Sequence, residues 1–322
     1  MTYVTEPTAV FGIDIGKREL WVQREGETST QRLPNTVRAV RAWLASVPAG
    51  ALLVMEATNT FHELLATSAH AAGLQVVVLN PRRSWHYARS IGQRGKTDRV
   101  DAAMLARFGA HEWTTLHRWQ PATAGNARVA QLLRRRAALM KAKVALGQSL
   151  STLRELQSLR RQTDQALARM IQRLDVLIVQ AVTDDVQLAP LHQLLQTIVG
   201  VGPVVAAQLA QALTRLPWRT PDAFIAYTGL DPRPDDSSER HGRRTLTKYG
   251  PPLLRHLLFL AAMSAVKTAL WKPIYAALRA RGLETTEALV IVARRIARIA
   301  FAMFKSGQAF KPQQLTPAAR LA

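Results

Sequence analysis

Four carboxylates in this sequence have positions that could do chemistry. Asp14 lies inside GIDIG, Glu56 closes the apolar run ALLVME, and Asp98 and Asp101 stand three apart in KTDRVDA, in a chain whose formal net charge is +21. Carboxylates gathered in one pocket repel each other, and hard divalent cations with oxygen ligands are the usual reason to tolerate that. Two Mg2+ ions about 4 Å apart, with Mn2+ as a substitute, would activate the attacking oxygen and stabilise the leaving oxygen of a phosphoryl transfer. A mid-strand aspartate also runs against β propensity, and a local choice that conflicts with its element marks a functional position. Taken singly, Asp14 could cap a turn, Glu56 could be a strand-end surface residue, and Asp98 could be a helix-start acid favoured by the macrodipole. Their joint occurrence is what calls for a site.

The elements that would hold them can be read from the pattern. Residues 9–25 form two tightly joined strands: Phe11, Ile13 and Ile15 alternate with Gly12, Asp14 and Gly16, and Leu20 and Val22 resume the alternation. A helix follows over 36–47, with Val37, Val40 and Leu44 at helical spacing. The runs 51–58 and 74–81 are short and continuously apolar, which fits central strands covered on both faces, with a covering helix over 59–72 between them. Pro81 closes the second run and RRSWHYARS continues as a basic loop or short helix. Thr97 caps a helix through Val100, Met104, Leu105 and Phe108, which puts Asp98 and Asp101 in its first turn on one face.

Downstream the chain reads as helical. No proline occurs from 122 to 189, and 128–173 holds eleven Lys/Arg against two acids, with a leucine stripe at 132, 139, 146, 150, 153, 156 and 159. One or two long helices, as a basic arm or a coiled coil, account for this. Residues 194–213 pair two apolar helices across Gly200 and Gly202, the pattern of a helix-hairpin-helix module whose turn lets backbone N–H groups approach a phosphate; a plain packing corner would also use glycines. The segment 221–250 turns poor in apolar residues after Leu230 and reads as a long irregular segment, a feature that in a compact domain is functional or disordered. Residues 251–304 are helical again, and the tail from 305 is frayed.

The totals point to the partner. Lys and Arg number 43 against 22 Asp and Glu, and a pI near 11.4 describes a surface that attracts polyanions, nucleic acid first among them. With no cysteine, thiolate catalysis, a Cys-ligated zinc site and a disulfide framework are excluded, and the expected home is cytoplasmic. No apolar run approaches the roughly 20 residues of a membrane span, and no signal-peptide pattern opens the sequence.

Taken together, GIDIGK, MEAT, KTDRVDA, VGVGP and the YTGLDPR, SS and TKYG stretch resemble the DEDD transposases of bacterial insertion sequences, the family that includes the Piv DNA invertase and the bridge-RNA-guided recombinases. The resemblance covers roughly 9–307. It implies a RuvC-type, ribonuclease-H-like α/β domain over 1–120, a helical coiled-coil arm over 121–189, and a mainly α-helical transposase domain over 190–322. It carries the metal-binding quartet onto Asp14, Glu56, Asp98 and Asp101, and implies a serine nucleophile that joins covalently to cleaved DNA. Counting from GLDPR favours Ser237, with Ser238 as runner-up. It also implies donor and target DNA, a structured bridge RNA encoded by the element, and a homo-oligomer, dimer or tetramer, at work on the bacterial nucleoid.

A serine hydroxyl needs a proton acceptor and cations for the phosphate charge. Arg240, Arg243, Arg244 and Lys248 are near enough in sequence to supply the cations, His241 is a candidate proton shuttle, and Lys96 and Arg99 are candidate phosphate contacts. Three rivals remain. A metal-dependent nuclease or junction resolvase would use water in place of the serine. A non-catalytic nucleic-acid-binding protein would not need the carboxylates. An actin-like or sugar-kinase ATPase, suggested by GIDIGK alone, lacks further phosphate loops and leaves the charge unexplained.

Overall fold

The computed structural model describes residues 5–93, 95, 97–233, 236–237, 240–241 and 245–312. Its internal contacts divide the chain into two units, 1–121 and 122–322.

The first unit is a five-stranded mixed sheet covered on both faces. Its elements run β1 Val10–Ile15, β2 Glu19–Arg24, β3 Thr30–Pro34, α1 Val37–Leu44, β4 Leu52–Glu56, α2 Glu63–Ala71, β5 Gln75–Leu79, α3 Pro81–Ser90 and α4 Asp98–Glu112. The spatial order is β3-β2-β1-β4-β5. β1, β2 and β3 form an antiparallel meander, and β4 and β5 run parallel to β1. This is the α/β arrangement expected of a ribonuclease-H-like domain. The sequence reading missed β3, whose TQRLP buries only Leu33 and shows no alternation strong enough to announce a strand.

Side-chain alternation sorts the two faces. Phe11, Ile13 and Ile15 of β1 pack with Leu53 and Met55 of β4 beneath Val40, Trp43, Leu65 and Ala69 of α1 and α2. Val10 and, from β4, Leu52 and Val54 face the other way, against Met104, Leu105 and Phe108 of α4. Asp14 and Glu56 share the parity of this second face. Gly12 makes the close approach of α4 possible: a Cβ there would lie 2.1 Å from Ala102 O and 2.2 Å from Ala106 N. Gly109 plays the same part from the helix side, where a Cβ would fall 2.6 Å from Val54 Cγ2 and 2.8 Å from Val10 Cγ1. With Gly109 over Val10, and Ala102 and Ala106 over Gly12, α4 runs antiparallel to β1 and brings its first turn towards Asp14.

The second unit is helical. α5 Ala124–Ser149 and α6 Gln157–Thr183 are followed by α7 Leu188–Leu195, α8 Pro203–Arg215, α9 Pro221–Thr228, the two-residue strands β6 Pro232–Arg233, β7 Asp236–Ser237, β8 Arg240–His241 and β9 Thr245–Leu246, then α10 Pro252–Ala265, α11 Lys272–Ala280 and α12 Thr285–Ser306. α5 and α6 pack on each other, and Val129, Leu132, Leu133, Ile178 and Val182 enter one core with α8, α10 and α12. An Arg136–Asp175 ion pair links them. The leucine stripe is buried only where this pair joins the core: Leu132 is inside, whereas Leu146, Leu153 and Leu159 are exposed.

Two expectations change. The irregular segment foreseen across 221–250 opens with a helix, α9, whose N-cap Thr220 accepts a hydrogen bond from Ala223 N at 3.2 Å. Its Phe224, Ile225 and hydrogen-bonded Thr228 are buried, a short pattern that the surrounding turn formers concealed. The tail foreseen as frayed from 305 is ordered further: α12 continues to Ser306, Gly307 ends it at φ 68°, and Phe310 N donates to Thr197 Oγ1 at 3.2 Å. Among the described residues no helix is long and apolar enough to cross a membrane.

Candidate active site

The site is built on the C-terminal ends of β1 and β4 and the first turn of α4. β1 and β4 are adjacent and parallel, with Ile13 opposite Met55, so Asp14 and Glu56 follow on the same side at the same level. Thr97 caps α4, its Oγ1 accepting from Val100 N at 3.3 Å, which fixes Asp98 and Asp101 in the first turn as the sequence suggested. The helix dipole favours both acids there.

Asp14 reports the grouping electrostatically. Its carboxyl is raised from 3.8 to about 6, first by burial and then by the charges of Asp98, Asp101 and Glu56, while a hydrogen bond from Ile15 N–H pulls the other way. All three partners foreseen from sequence therefore act on one aspartate. Even so, among the described residues no three of His, Cys, Asp and Glu stand close enough to hold a metal ion as they are placed.

Two neighbours absent from the sequence reading steady these carboxylates. Ser84 of α3 is 1 % exposed, and its Oγ stands 2.6 Å from Glu56 Oε2 and 3.0 Å from Pro81 O. Its single proton goes to the carboxylate, the shorter and charge-assisted contact. Gln93 Nε2 donates to Asp101 Oδ1 at 2.9 Å, and its own Oε1 is buried without a partner among the described residues. That orphaned oxygen is a neutral acceptor on the side chain that holds Asp101. Neither residue could be found from spacing, because each acts through a contact between separate elements.

The remaining candidates fall into distinct places. Arg99 is exposed and its Nη2 donates to Thr28 O at 3.1 Å, bracing α4 against the β2–β3 connection; Lys96 lies outside the described residues. Gly200 has φ 97°, and a Cβ there would meet Ala265 Cβ at 2.6 Å and Ala261 O at 2.9 Å, so this turn is pressed on α10. Gly202 caps α8 in open space. His192 Nε2 donates to Pro203 O at 2.9 Å and ties α7 to α8.

Ser237 lies on an antiparallel ribbon. Asp236 pairs with His241 and Ser237 with Arg240, and a second two-stranded pair sets Pro232 opposite Leu246 and Arg233 opposite Thr245. Ser238, Arg243 and Arg244 lie outside the described residues. The ribbon's base is pinched shut: a Cβ on Gly250 would fall 1.6 Å from Tyr227 O, Lys248 N donates to Gly229 O at 3.2 Å, and Thr247 hydrogen-bonds to Asp231. Lys248 adopts φ 54°, an unusual conformation for a residue with a Cβ.

Known proteins match this chain along most of its length. An IS110-type DEDD transposase family model, described as "Transposase", matches residues 11–155, and the "Transposase IS116/IS110/IS902 family" model matches 192–276. The "Pilin gene-inverting protein" of Moraxella bovis is 28 % identical over 80 % of this chain and 81 % of its own length. Its counterpart from Moraxella lacunata is 27 % identical over the same shares. The "Insertion element IS116 uncharacterized 44.8 kDa protein" of Streptomyces clavuligerus is 32 % identical over 37 % of this chain and 31 % of its own.

Proposed function

The chain belongs to the IS110-type DEDD transposases, DNA-recombining enzymes, and from that premise we propose that it cleaves and rejoins DNA with a carboxylate-held divalent-metal site and a serine nucleophile. The observation that carries the first half is Asp14, whose carboxyl rises to about 6 under burial and the charges of Asp98, Asp101 and Glu56. Excess negative charge and an all-oxygen donor set suit Mg2+ or Mn2+ and would be wasteful in a site without cations. Asp14, Glu56, Asp98 and Asp101 would hold the metal, and bound there it would supply Lewis-acid stabilisation of the phosphoryl oxygens.

The protein's own residues supply the rest. Ser84 fixes Glu56 and Gln93 fixes Asp101, so that two of the four carboxylates are oriented before substrate arrives. In the serine step, Ser237 Oγ bonds to the DNA phosphorus, its proton passes to a neighbouring base, and one deoxyribose oxygen leaves with a proton. Attack of that hydroxyl, or of one from a second DNA end, on the phosphoserine ester reverses the step and rejoins the strand. Arg240, Arg243, Arg244 and Lys248 are the cations assigned to the phosphate, and His241 is a candidate for the proton. Inversion, the activity in the name of the Moraxella relatives, and transposition both need this cut-and-rejoin cycle.

By the same resemblance the site is guided to its DNA by an element-encoded RNA, the glycine turn between α7 and α8 contacts nucleic acid, and the chain works as a dimer or tetramer on the bacterial nucleoid. The division into a 1–120 catalytic domain, a 121–189 arm and a 190–322 transposase domain belongs to this reading. The exposed Leu146, Leu153 and Leu159 support an arm that pairs with a second copy as a coiled coil.

Purified wild-type, Ser237→Ala and Asp14→Asn proteins, incubated with end-labelled element DNA and Mg2+, test the proposal. The wild type should leave a protein–DNA adduct that survives denaturing electrophoresis, and Ser237→Ala should lose both adduct and strand transfer. Unchanged cleavage by Ser237→Ala would assign the reaction to water and make the chain a nuclease or resolvase. Unchanged cleavage by Asp14→Asn would remove the metal site. RNA of one defined length copurifying with the protein checks the guide.

A further inference from the structure

Beyond the carboxylates, α3 carries a feature that the proposed chemistry does not use. Trp85 is 52 % exposed, on a helix whose Tyr87, Ala88 and Ile91 pack inward. Arg82, Trp85 and Arg89 recur at i, i+3 and i+7, the spacing of one helical face. The Arg89 guanidinium lies 4.8 Å over the Trp85 ring, and the His86 ring meets the indole edge-on at 4.8 Å and 77°. The opposite side of α3 is anchored by the Tyr87–Phe108 contact at 4.6 Å and by Arg83 over Phe108 at 5.3 Å. Ser84, which precedes Trp85 in the chain, holds Glu56. An exposed aromatic side chain with Arg89 against its ring is therefore carried by the same helix that holds Glu56 through Ser84.

We infer that the outer face of α3 is a stacking platform for an unpaired base of the DNA strand being cut. The inference rests on the proposed DNA cleavage at Glu56. An indole accepts the face of any base, and a guanidinium stacked on it both extends the flat surface and neutralises a phosphate. Bases inside a duplex already stack on one another, so the platform selects nucleotides that are unpaired. Because the same helix holds Glu56 through Ser84, the strand it would meet is the one brought to the carboxylates, DNA rather than a guide.

The test uses the full chain carrying Asp14→Asn, which blocks turnover, with and without Trp85→Ala or Trp85→Phe. The probes are a synthetic DNA duplex with a central bubble of unpaired thymines, the fully paired duplex, and an RNA bubble with the corresponding bases, read by anisotropy at one fixed salt concentration. Trp85→Ala should weaken binding of the DNA bubble about 10-fold, the scale of one base–aromatic stack, and change the paired duplex by less than about twofold. Trp85→Phe should retain most of the affinity. Thermal melts matching those of the Asp14→Asn parent confirm that this exposed position does not affect folding. Equal weakening of bubble and duplex, or no weakening, overturns the platform, and a Trp85-dependent preference for the RNA bubble reassigns it to RNA and overturns the inference as stated. The Ser237→Ala adduct assay does not depend on Trp85, so failure of the platform and failure of the recombinase reading give different results.

Discussion

Replacing Asp14 by Asn should stabilise the protein while it abolishes activity. The carboxyl is raised from 3.8 to about 6, roughly two units at about 1.4 kcal/mol each, so the ionised form costs at most about 3 kcal/mol. Asp14 is only partly buried, and solvent screening reduces this to about 1–2 kcal/mol. The sign is opposite to that of a salt-bridged aspartate. Because the folded state binds this proton more tightly than the unfolded state, the group costs nothing below pH 3.8, its penalty grows between about pH 4 and 6, and the whole penalty is present at pH 7. Asparagine keeps an oxygen for the Ile15 N–H and removes the charge. With chelator at pH 7.5, Asp14→Asn should melt above wild type by about 2–4 °C per kcal/mol, and the gap should close by pH 4. Adding Mg2+ should raise the wild-type melting temperature more than that of the variant. A variant that melts at or below wild type at pH 7.5 in chelator would refute the crowding of four carboxylates, and with it the observation that carries the metal site.

Three other substitutions probe separate parts of the scaffold. Gly12→Ala places a Cβ 2.1 Å from Ala102 O, so α4 must leave β1; a stability loss of about 3 kcal/mol or more and loss of Mg2+-dependent cleavage are expected in urea melts and cleavage assays. Ser84→Ala frees Glu56 and should lower the cleavage rate about 10-fold while raising the Mg2+ concentration needed for half-maximal rate, a shift that simple loss of folded protein would not produce. Arg295→Met replaces a buried guanidinium whose Nε and Nη1 have no partner among the described residues, and whose pKa burial depresses. It should be neutral or stabilise the second unit by about 1–2 kcal/mol in thermal melts.

The parts of the first unit visible in sequence were those with a local signal of their own, an apolar period, a cap or a residue out of place. Asp14 in an apolar strand and two aspartates after a capping threonine announced themselves, and the parallel pairing of β1 with β4 brings Asp14 and Glu56 together as the two apolar runs implied. β3 gave no such signal, because an edge strand with one buried side chain has nothing to alternate with. Ser84 and Gln93 were invisible for a different reason: a serine in a basic helix and a glutamine after it are ordinary until the tertiary fold sets them against Glu56 and Asp101. Gly200 shows how one motif can have two explanations. Its glycine is read as room for a phosphate, and the fold adds a packing reason, since a Cβ there would meet Ala261 O and Ala265 Cβ of α10.

The charge distribution explains how acids can be concentrated in so basic a protein. Residues 1–121 carry 14 Lys/Arg and 10 Asp/Glu, whereas 122–322 carry 29 and 12, so the second unit holds most of the excess positive charge. Attraction to a polyanion is therefore supplied mainly outside the unit that bears the carboxylates, and four of that unit's ten acids lie at the proposed site. A cleavage site with surplus negative charge would repel DNA if it had to bind substrate alone. If the second unit's excess cations hold the backbone, as their number leads us to propose, raising salt should weaken DNA binding steeply while leaving the Mg2+ requirement of bound complexes little changed.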